Sequence, residues 1–224
     1  MSSCLEGMIR AVIFDLDGTL IEFKLDVQSS KSEVIHFIKE IAPNVNGLNV
    51  NQSYYHMLER VRCMIDEKTF ESVKFEVYKI LEKFEDKAVL ETSLKYGVRE
   101  ALMELKDLGK KIALLTNSGR TATFRALTKF DIINFFDLIL SRDDVEFLKP
   151  STFGFQKVLS LLDLSAEECI SVGDGLIDII PSKSLGIKFV AVTGGYNPIE
   201  KILEYKPDYV IGSLLELPSL IKKL

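Results

Sequence analysis

Apolar residues fall along this chain in two rhythms. Six short runs are apolar almost throughout and are bounded by turn residues: IRAVIF (9–14), KIALLT (111–116), FDLILS (136–141), CISVG (169–173), KFVAVT (188–193) and DYVIG (208–212). Runs of this length that are continuous rather than alternating predict strands buried on both faces. Between them, apolar positions recur every three or four residues. In VREALMELKDLG (98–109), Val98, Ala101, Leu102, Leu105 and Leu108 share one helical face, and Gly109 is a stop signal. TATFRALTKF (121–130) and TFGFQKVLSLLDL (152–164) fit helices in the same way. Alternating strands and helices predict an α/β fold: a Rossmann-like parallel sheet with helices on both faces.

Residues 21 to about 92 break that alternation and hold no convincing buried strand. They hold SEVIHFIKEIA (32–42), QSYYHMLERVRCMIDE (52–67) and FESVKFEVYKILEKFE (70–85). Val34, Ile38 and Ile41, then Leu58, Val61 and Ile65, lie at helical spacing. The Asn-rich PNVNGLNVN (43–51), with Pro43 and Gly47, reads as a loop. The division this predicts is an α/β core domain from residues 1–20 and 93–224, with a helical module at 21–92 inserted after the first strand.

Ligands of open α/β sheets bind outside the carboxyl ends of the strands, so the residues ending each run carry the functional signal. The first run ends in Asp15-Leu16-Asp17-Gly18-Thr19 and the second in Thr116-Asn117. The third is followed by a loop ending in Lys149-Pro150, and the fourth ends in Gly173-Asp174 with Asp178 one helical turn on. Each is ordinary alone, as a helix cap, a surface lysine or a packed threonine. Together they bring four acids, one base and one hydroxyl to a single sheet edge. Side chains two apart on a strand point the same way, so Asp15 and Asp17 are predicted to share a pocket while Leu16 turns inward. Close carboxylates repel unless a cation or proton separates them. Mg2+ answers that need with Asp174 as a further ligand, and Asp178 supports a metal-bound water or orients its neighbour. Lys149 balances the acids or meets a phosphoryl oxygen as a point charge. Thr116, through its hydroxyl and the N–H of Asn117 behind it, meets another. Gly18 permits a tight turn and close backbone approach.

DLDGTL, LLTN, LKP and GDGLID, in this order and spacing, resemble the haloacid dehalogenase superfamily of aspartate-nucleophile phosphatases. The match spans residues 9–20 and about 94–212. DxDGTL at the end of a first strand is its most specific element; the second motif is nearly uninformative alone. The helical module then looks like the small cap of the phosphoglycolate phosphatase-like branch, to which YGVREAL (96–102) and SKSLG (182–186) are also similar. Pro181 stands where that branch often has Ala, and is expected early in a helix, where proline is tolerated. The resemblance implies that Asp15 attacks phosphorus and forms an aspartyl-phosphate. It implies that Asp17 protonates the leaving oxygen and then activates water. Thr116 and Lys149 would stabilise the transferring group, with Asn117 and Gly18 beside them in the phosphate site. Asp15, the main-chain carbonyl of Asp17, and Asp174 would bind Mg2+, with Asp178 in support. An acid two residues after the nucleophile favours an oxygen leaving group over a halide, which needs no proton. The expected function is Mg2+-dependent hydrolysis of a small phosphorylated metabolite. A phosphosugar mutase and a non-catalytic phosphate-binding protein stay open on the same scaffold.

Composition narrows the partners. The chain of 224 residues has 28 Lys plus Arg against 33 Asp plus Glu, a formal charge of −5, which disfavours nucleic acid. No stretch approaches the roughly 20 apolar residues of a membrane helix, and MSSCLEGM does not read as a secretory signal. Cys4, Cys63 and Cys169 are widely spaced and odd in number, so free thiols in a reducing compartment, the cytoplasm, are expected. His36 and His56, both in the helical module, are read as non-catalytic. Tyr54 and Tyr55 are read as packing, EKFEDK (82–87) as a solvated helix end, and Gly194-Gly195 as a plain turn. The sequence predicts no oligomeric state.

Overall fold

The run at 9–14 folds as β1 (Ala11–Phe14), every residue of it buried. Its flanks are β2 (Lys111–Leu115) and β4 (Cys169–Gly173); β3 (Leu138–Leu140), β5 (Lys188–Val192) and β6 (Tyr209–Ile211) complete the sheet. The computed structural model describes residues 8–224; Cys4 and most of the MSSCLEGM leader lie outside the described residues. The strand order is β3-β2-β1-β4-β5-β6, and every pairing is parallel. Sequence order therefore runs outward from β1 to β3 on one side and from β4 to β6 on the other. β1 and β4 meet at the switch point where crevices form at the carboxyl edge. Phe14 is in register with Leu114 and with Val172, so the chain leaves β1, β2 and β4 at nearly one level.

The sheet's connections are α4 (Val98–Asp107), α5 (Arg120–Lys129), α6 (Phe153–Leu162), α7 (Leu176–Ser184) and α8 (Ile199–Leu203); α9 (Leu217–Ile221) ends the chain. Right-handed crossovers in this strand order put α4 and α5 on one face and α6 and α7 on the other. Val98, Ala101, Leu102 and Leu105 are buried, as their spacing predicts. β3 is shorter than the apolar run at 136–141. The carboxylate of Asp137 accepts the backbone N–H of Ile112 at 2.7 Å and so joins β2 through its side chain. Pro181 is the sixth residue of α7, past its first turn, and cannot donate to the carbonyl of Ile177.

Two units emerge from the contacts, Lys24–Glu91 and the remainder of the chain. The α/β unit reaches beyond residue 20, because the Glu22 N–H donates to Ser93 O at 2.9 Å and the Thr92 hydroxyl to Glu22 O at 2.6 Å. Ile21 and Leu94 also form an antiparallel bridge. The helical unit consists of α1 (Val27–Ile41), α2 (Tyr54–Arg62) and α3 (Glu67–Glu91). Asp26, Ser53 and Asp66 accept N–H groups of the first turns of α1, α2 and α3. Val34 and Ile38, Met57 and Val61, and Phe70, Val73 and Val77 form its buried face. α3 runs through EKFEDK rather than ending there. Its buried stripe continues at Leu81, Glu85, Ala88 and Val89, and the carboxylate at Glu85 interrupts the apolar period that would have extended the helix. Among the described residues no helix is long and apolar enough to cross a membrane.

Candidate active site

β1 delivers its first acid straight from the sheet. The Asp15 N–H still donates to Val172 O at 3.0 Å, while its carboxylate meets Lys149. The Lys149 ammonium donates to Asp15 Oδ1 at 2.6 Å, Asp178 Oδ1 at 2.6 Å and Leu115 O at 2.9 Å. Lys149 is 2% exposed, Asp178 2% and Asp15 7%, so this is a buried charge cluster. Three protons and three acceptors satisfy the ammonium, and two anions beside it hold its pKa above the ordinary lysine value against the opposing effect of burial.

One lysine does not balance the acids. Asp174 lies buried beside the others, and its Oδ1 accepts the Thr19 hydroxyl at 2.8 Å while its Oδ2 accepts the Tyr196 N–H at 2.6 Å. Burial, reinforced by the charge of Asp15, pushes the Asp174 carboxyl up. Burial likewise pushes Asp178 up; Lys149 opposes the shift, and Asp15 and Asp174 add to it. Both directions mark a site short of positive charge. Asp15, Asp174 and Asp178 each present a carboxylate oxygen within 4.8 Å of the others. A buried all-oxygen donor set of this kind fits a hard divalent cation and offers no soft or imidazole ligand. The side chain of Asp17 is not in this group. Its Oδ2 accepts the Ser118 hydroxyl at 2.6 Å, so the two aspartates of DxD have separate partners.

Glycines give the acids room. Gly18 has φ +91°, and a Cβ there would lie 2.3 Å from Asp174 Oδ2; at Gly195 it would lie 2.1 Å from the same atom. The Gly18 N–H donates to Ile21 O at 2.8 Å, so what Gly18 supplies is turn and clearance and not a phosphate donor. Gly195 is likewise more than a plain turn. The side chain of Asn117 has a partner of its own. Its side-chain amide is spent on Lys149, whose N–H donates to Asn117 Oδ1 at 2.9 Å and whose carbonyl accepts Asn117 Nδ2 at 3.0 Å. The amide orients the lysine, and what Asn117 can offer a phosphate is its backbone N–H. Thr116 accepts the Ser118 N–H on Oγ1 at 3.1 Å. Its own hydroxyl proton has no acceptor among the described residues and is available to a phosphoryl oxygen.

The structure thus gathers Asp15, Lys149, Asp174 and Asp178 into one buried cluster, with Gly18 packed on Asp174. Asn117 touches Lys149, and Ser118 links Thr116 to Asp17. No role was read from sequence for Ser118, Thr19 or the Tyr196 N–H. Thr19 lies inside DLDGTL, Ser118 follows LLTN and Tyr196 follows Gly194-Gly195, but a place in or beside a motif does not name a partner. His36 faces Glu40 on an exposed helix surface, and His56 caps its own helix turn through Ser53, so neither joins the cluster. Cys63 and Cys169 are free thiols.

Known proteins resemble this chain along most of its length. The family model for haloacid dehalogenase-like hydrolases matches residues 12–192. The pyrophosphatase PpaX of Bacillus mycoides is 30% identical over 223 residues, covering 96% of this chain and 98% of its own. Among solved structures, a predicted phosphatase from Clostridium acetobutylicum superposes with a TM-score of 0.69 at 20% identity, covering 97% of this chain and all of that one (100%). A predicted phosphoglycolate phosphatase from Haemophilus somnus gives 0.64 at 22%, covering 95% and 97%. With the family model matching residues 12–192 and a relative 30% identical along nearly the whole of both chains, the chain belongs to the haloacid dehalogenase-like hydrolases and is an enzyme of that family.

Proposed function

We propose that this enzyme is a Mg2+-dependent phosphatase that transfers the phosphoryl group of a small substrate to Asp15 and then to water. The observation that carries the reading is the division of labour in DxD. Asp15 is held by the buried Lys149 at 2.6 Å, whereas Asp17 is held apart by Ser118. A nucleophile and a proton carrier need such separate settings.

In the first half-reaction an Asp15 carboxylate oxygen bonds to phosphorus as the bond from phosphorus to the leaving oxygen breaks. Protonated Asp17 gives its proton to that oxygen. In the second, Asp17, now a carboxylate, takes a proton from water as the water oxygen bonds to phosphorus, and Asp15 leaves as carboxylate. Lys149 and the Thr116 hydroxyl stabilise the phosphoryl oxygens, with the Asn117 N–H in reach of the same group. This is fixed charge placed where charge develops. Asp15, Asp174 and the main-chain carbonyl of Asp17 are the assigned Mg2+ ligands, with Asp178 in support; when bound, the ion offsets the charge of the acids and of the phosphoryl group.

The pyrophosphatase name of relatives at 30% identity favours inorganic pyrophosphate as a substrate to be tested beside phosphomonoesters such as phosphoglycolate. In pyrophosphate the leaving group is itself a phosphate, and the proton from Asp17 serves the same purpose. Residues 24–91 are assigned the role of a cap that helps choose the leaving group, and the free thiols fit a reducing cytoplasm. Phosphate release from pyrophosphate, phosphoglycolate, sugar phosphates and p-nitrophenyl phosphate, with Mg2+ and with EDTA, tests the reading. Turnover that survives EDTA, or isomerisation of a sugar phosphate without phosphate release, contradicts it.

A further inference from the structure

Lys95 lies between the bridge at Leu94 and the start of α4, in no strand or helix. Its backbone N–H donates to Leu20 O at 3.0 Å, which brings the residue alongside the loop that follows β1. Its half-buried ammonium donates to Gly18 O at 2.7 Å, Gly194 O at 3.3 Å and Thr193 O at 3.4 Å. An ammonium has three protons and no acceptor, so this side chain is committed to three main-chain carbonyls and, among the described residues, to no acid.

Those carbonyls belong to two loops, one after β1 and one after β5, and both loops press on Asp174. Gly18 and Gly195 confine Oδ2 from the two loops, each so near that a Cβ would overlap it. The same loops supply the two donors that orient the carboxylate, Thr19 Oγ1 from the first and Tyr196 N from the second. Asp174 therefore sits in a seat made by two loops, and Lys95 ties one loop to the other.

We infer that Lys95 is a positioning residue for Asp174: by joining the Gly18 and Gly194 carbonyls it holds the carboxylate where a divalent cation can be bound. The inference rests on the proposed role of Asp174 as a metal ligand. Groups that orient a metal ligand are typically worth about 10- to 100-fold in metal affinity. A clamp and a bare charge predict opposite signs here. A positive charge near the acids repels a divalent cation, so a lysine acting only by charge would on removal leave Mg2+ bound more tightly. A lysine acting as a clamp would on removal leave it bound more weakly.

The test is calorimetric titration of the full chain with Mg2+ alone, for wild type, Lys95→Met and Asp174→Asn, together with the Mg2+ dependence of turnover. Lys95→Met is expected to weaken Mg2+ binding by about 10- to 100-fold. It is expected to raise the Mg2+ needed for half-maximal turnover in parallel, and to regain wild-type kcat at saturating Mg2+ with little change in substrate KM. Unchanged or tighter Mg2+ binding in Lys95→Met, with binding lost in Asp174→Asn, overturns the role of Lys95 and leaves the metal site standing. Full Mg2+ binding in Asp174→Asn overturns the metal-ligand assignment, and the inference with it. If Lys95→Met does not fold, Lys95→Arg keeps the charge but cannot set three protons on these carbonyls with the compact geometry of an ammonium. Weaker Mg2+ binding in Lys95→Arg supports the clamp, and wild-type affinity refutes it.

Discussion

Replacing Lys149 with Met keeps the length of the side chain and removes its charge from between two buried acids. The ammonium lies 2.6 Å from Asp15 Oδ1 and 2.6 Å from Asp178 Oδ1. At an effective dielectric of about 20, one such contact is about 6 kcal/mol of raw attraction, most of which offsets the desolvation of the ions. Removing one partner of a buried pair costs about 3–5 kcal/mol, because the remaining charge is stranded. With a urea slope of about 2 kcal/mol per molar, the unfolding midpoint should fall by about 2 M. Far-UV circular dichroism is the suitable probe, since the chain has no tryptophan. The loss should also depend on pH with a definite sign. Asp174 and Asp178 are already pushed up by burial and by neighbouring carboxylates, and loss of the ammonium, which opposes both shifts, pushes the two further. A carboxyl whose folded pKa exceeds its unfolded value of about 3.9 costs stability as pH rises through the interval between them. Wild type and variant part in slope only above the wild-type folded values, about 6 for Asp174 and about 8 for Asp178, so the gap between them should widen from about pH 6 to about pH 9. A midpoint change below about 0.5 M at every pH in that range would refute the reasoning, because a cluster held by this lysine cannot lose it so cheaply.

Gly18→Ala forces a Cβ to within 2.3 Å of Asp174 Oδ2 at φ +91°; thermal unfolding should show a loss of at least about 1–3 kcal/mol from the backbone strain alone. Ser118→Ala removes the 2.6 Å hydrogen bond to Asp17; kcat should fall about tenfold, within the roughly 10²- to 10⁴-fold worth of general acid–base catalysis, while calorimetry finds Mg2+ affinity unchanged. The Asp137 carboxyl, although burial raises it, is held below its ordinary value by Lys106 and the Ile112 N–H. Its contribution is present above the unfolded pKa and is lost as pH falls through the folded one. Urea midpoints of wild type and Asp137→Asn should thus converge below about pH 4 and separate above it.

What could be read from the sequence follows from what each segment buries. Parallel strands covered on both faces leave continuous apolar runs, so all six were legible, and the polar residues that close them marked the edge where chemistry sits. The full length of α3 was not legible, because the buried stripe passes through Glu85, where a carboxylate replaces the apolar residue that the period requires. Partnerships across the sheet edge were also hidden. Ser118 and Asp17 are 101 residues apart, and Lys95 meets Gly194 across 99; no local pattern records contacts made by loops of different strands. Asn117 was read only through its backbone N–H; that its side-chain amide braces the peptide of Lys149, 32 residues on, was hidden in the same way.

The central claim is that Asp15 takes the phosphoryl group. Its most direct test is rapid acid quench of the enzyme turning over p-nitrophenyl phosphate with Mg2+, followed by mass spectrometry of the peptide that carries Asp15 and Asp17. The account predicts a phosphoryl adduct on Asp15 that forms and decays with turnover, and its loss together with phosphate release in Asp15→Asn. Phosphate release at the wild-type rate by Asp15→Asn, or an adduct on any other residue, would contradict it.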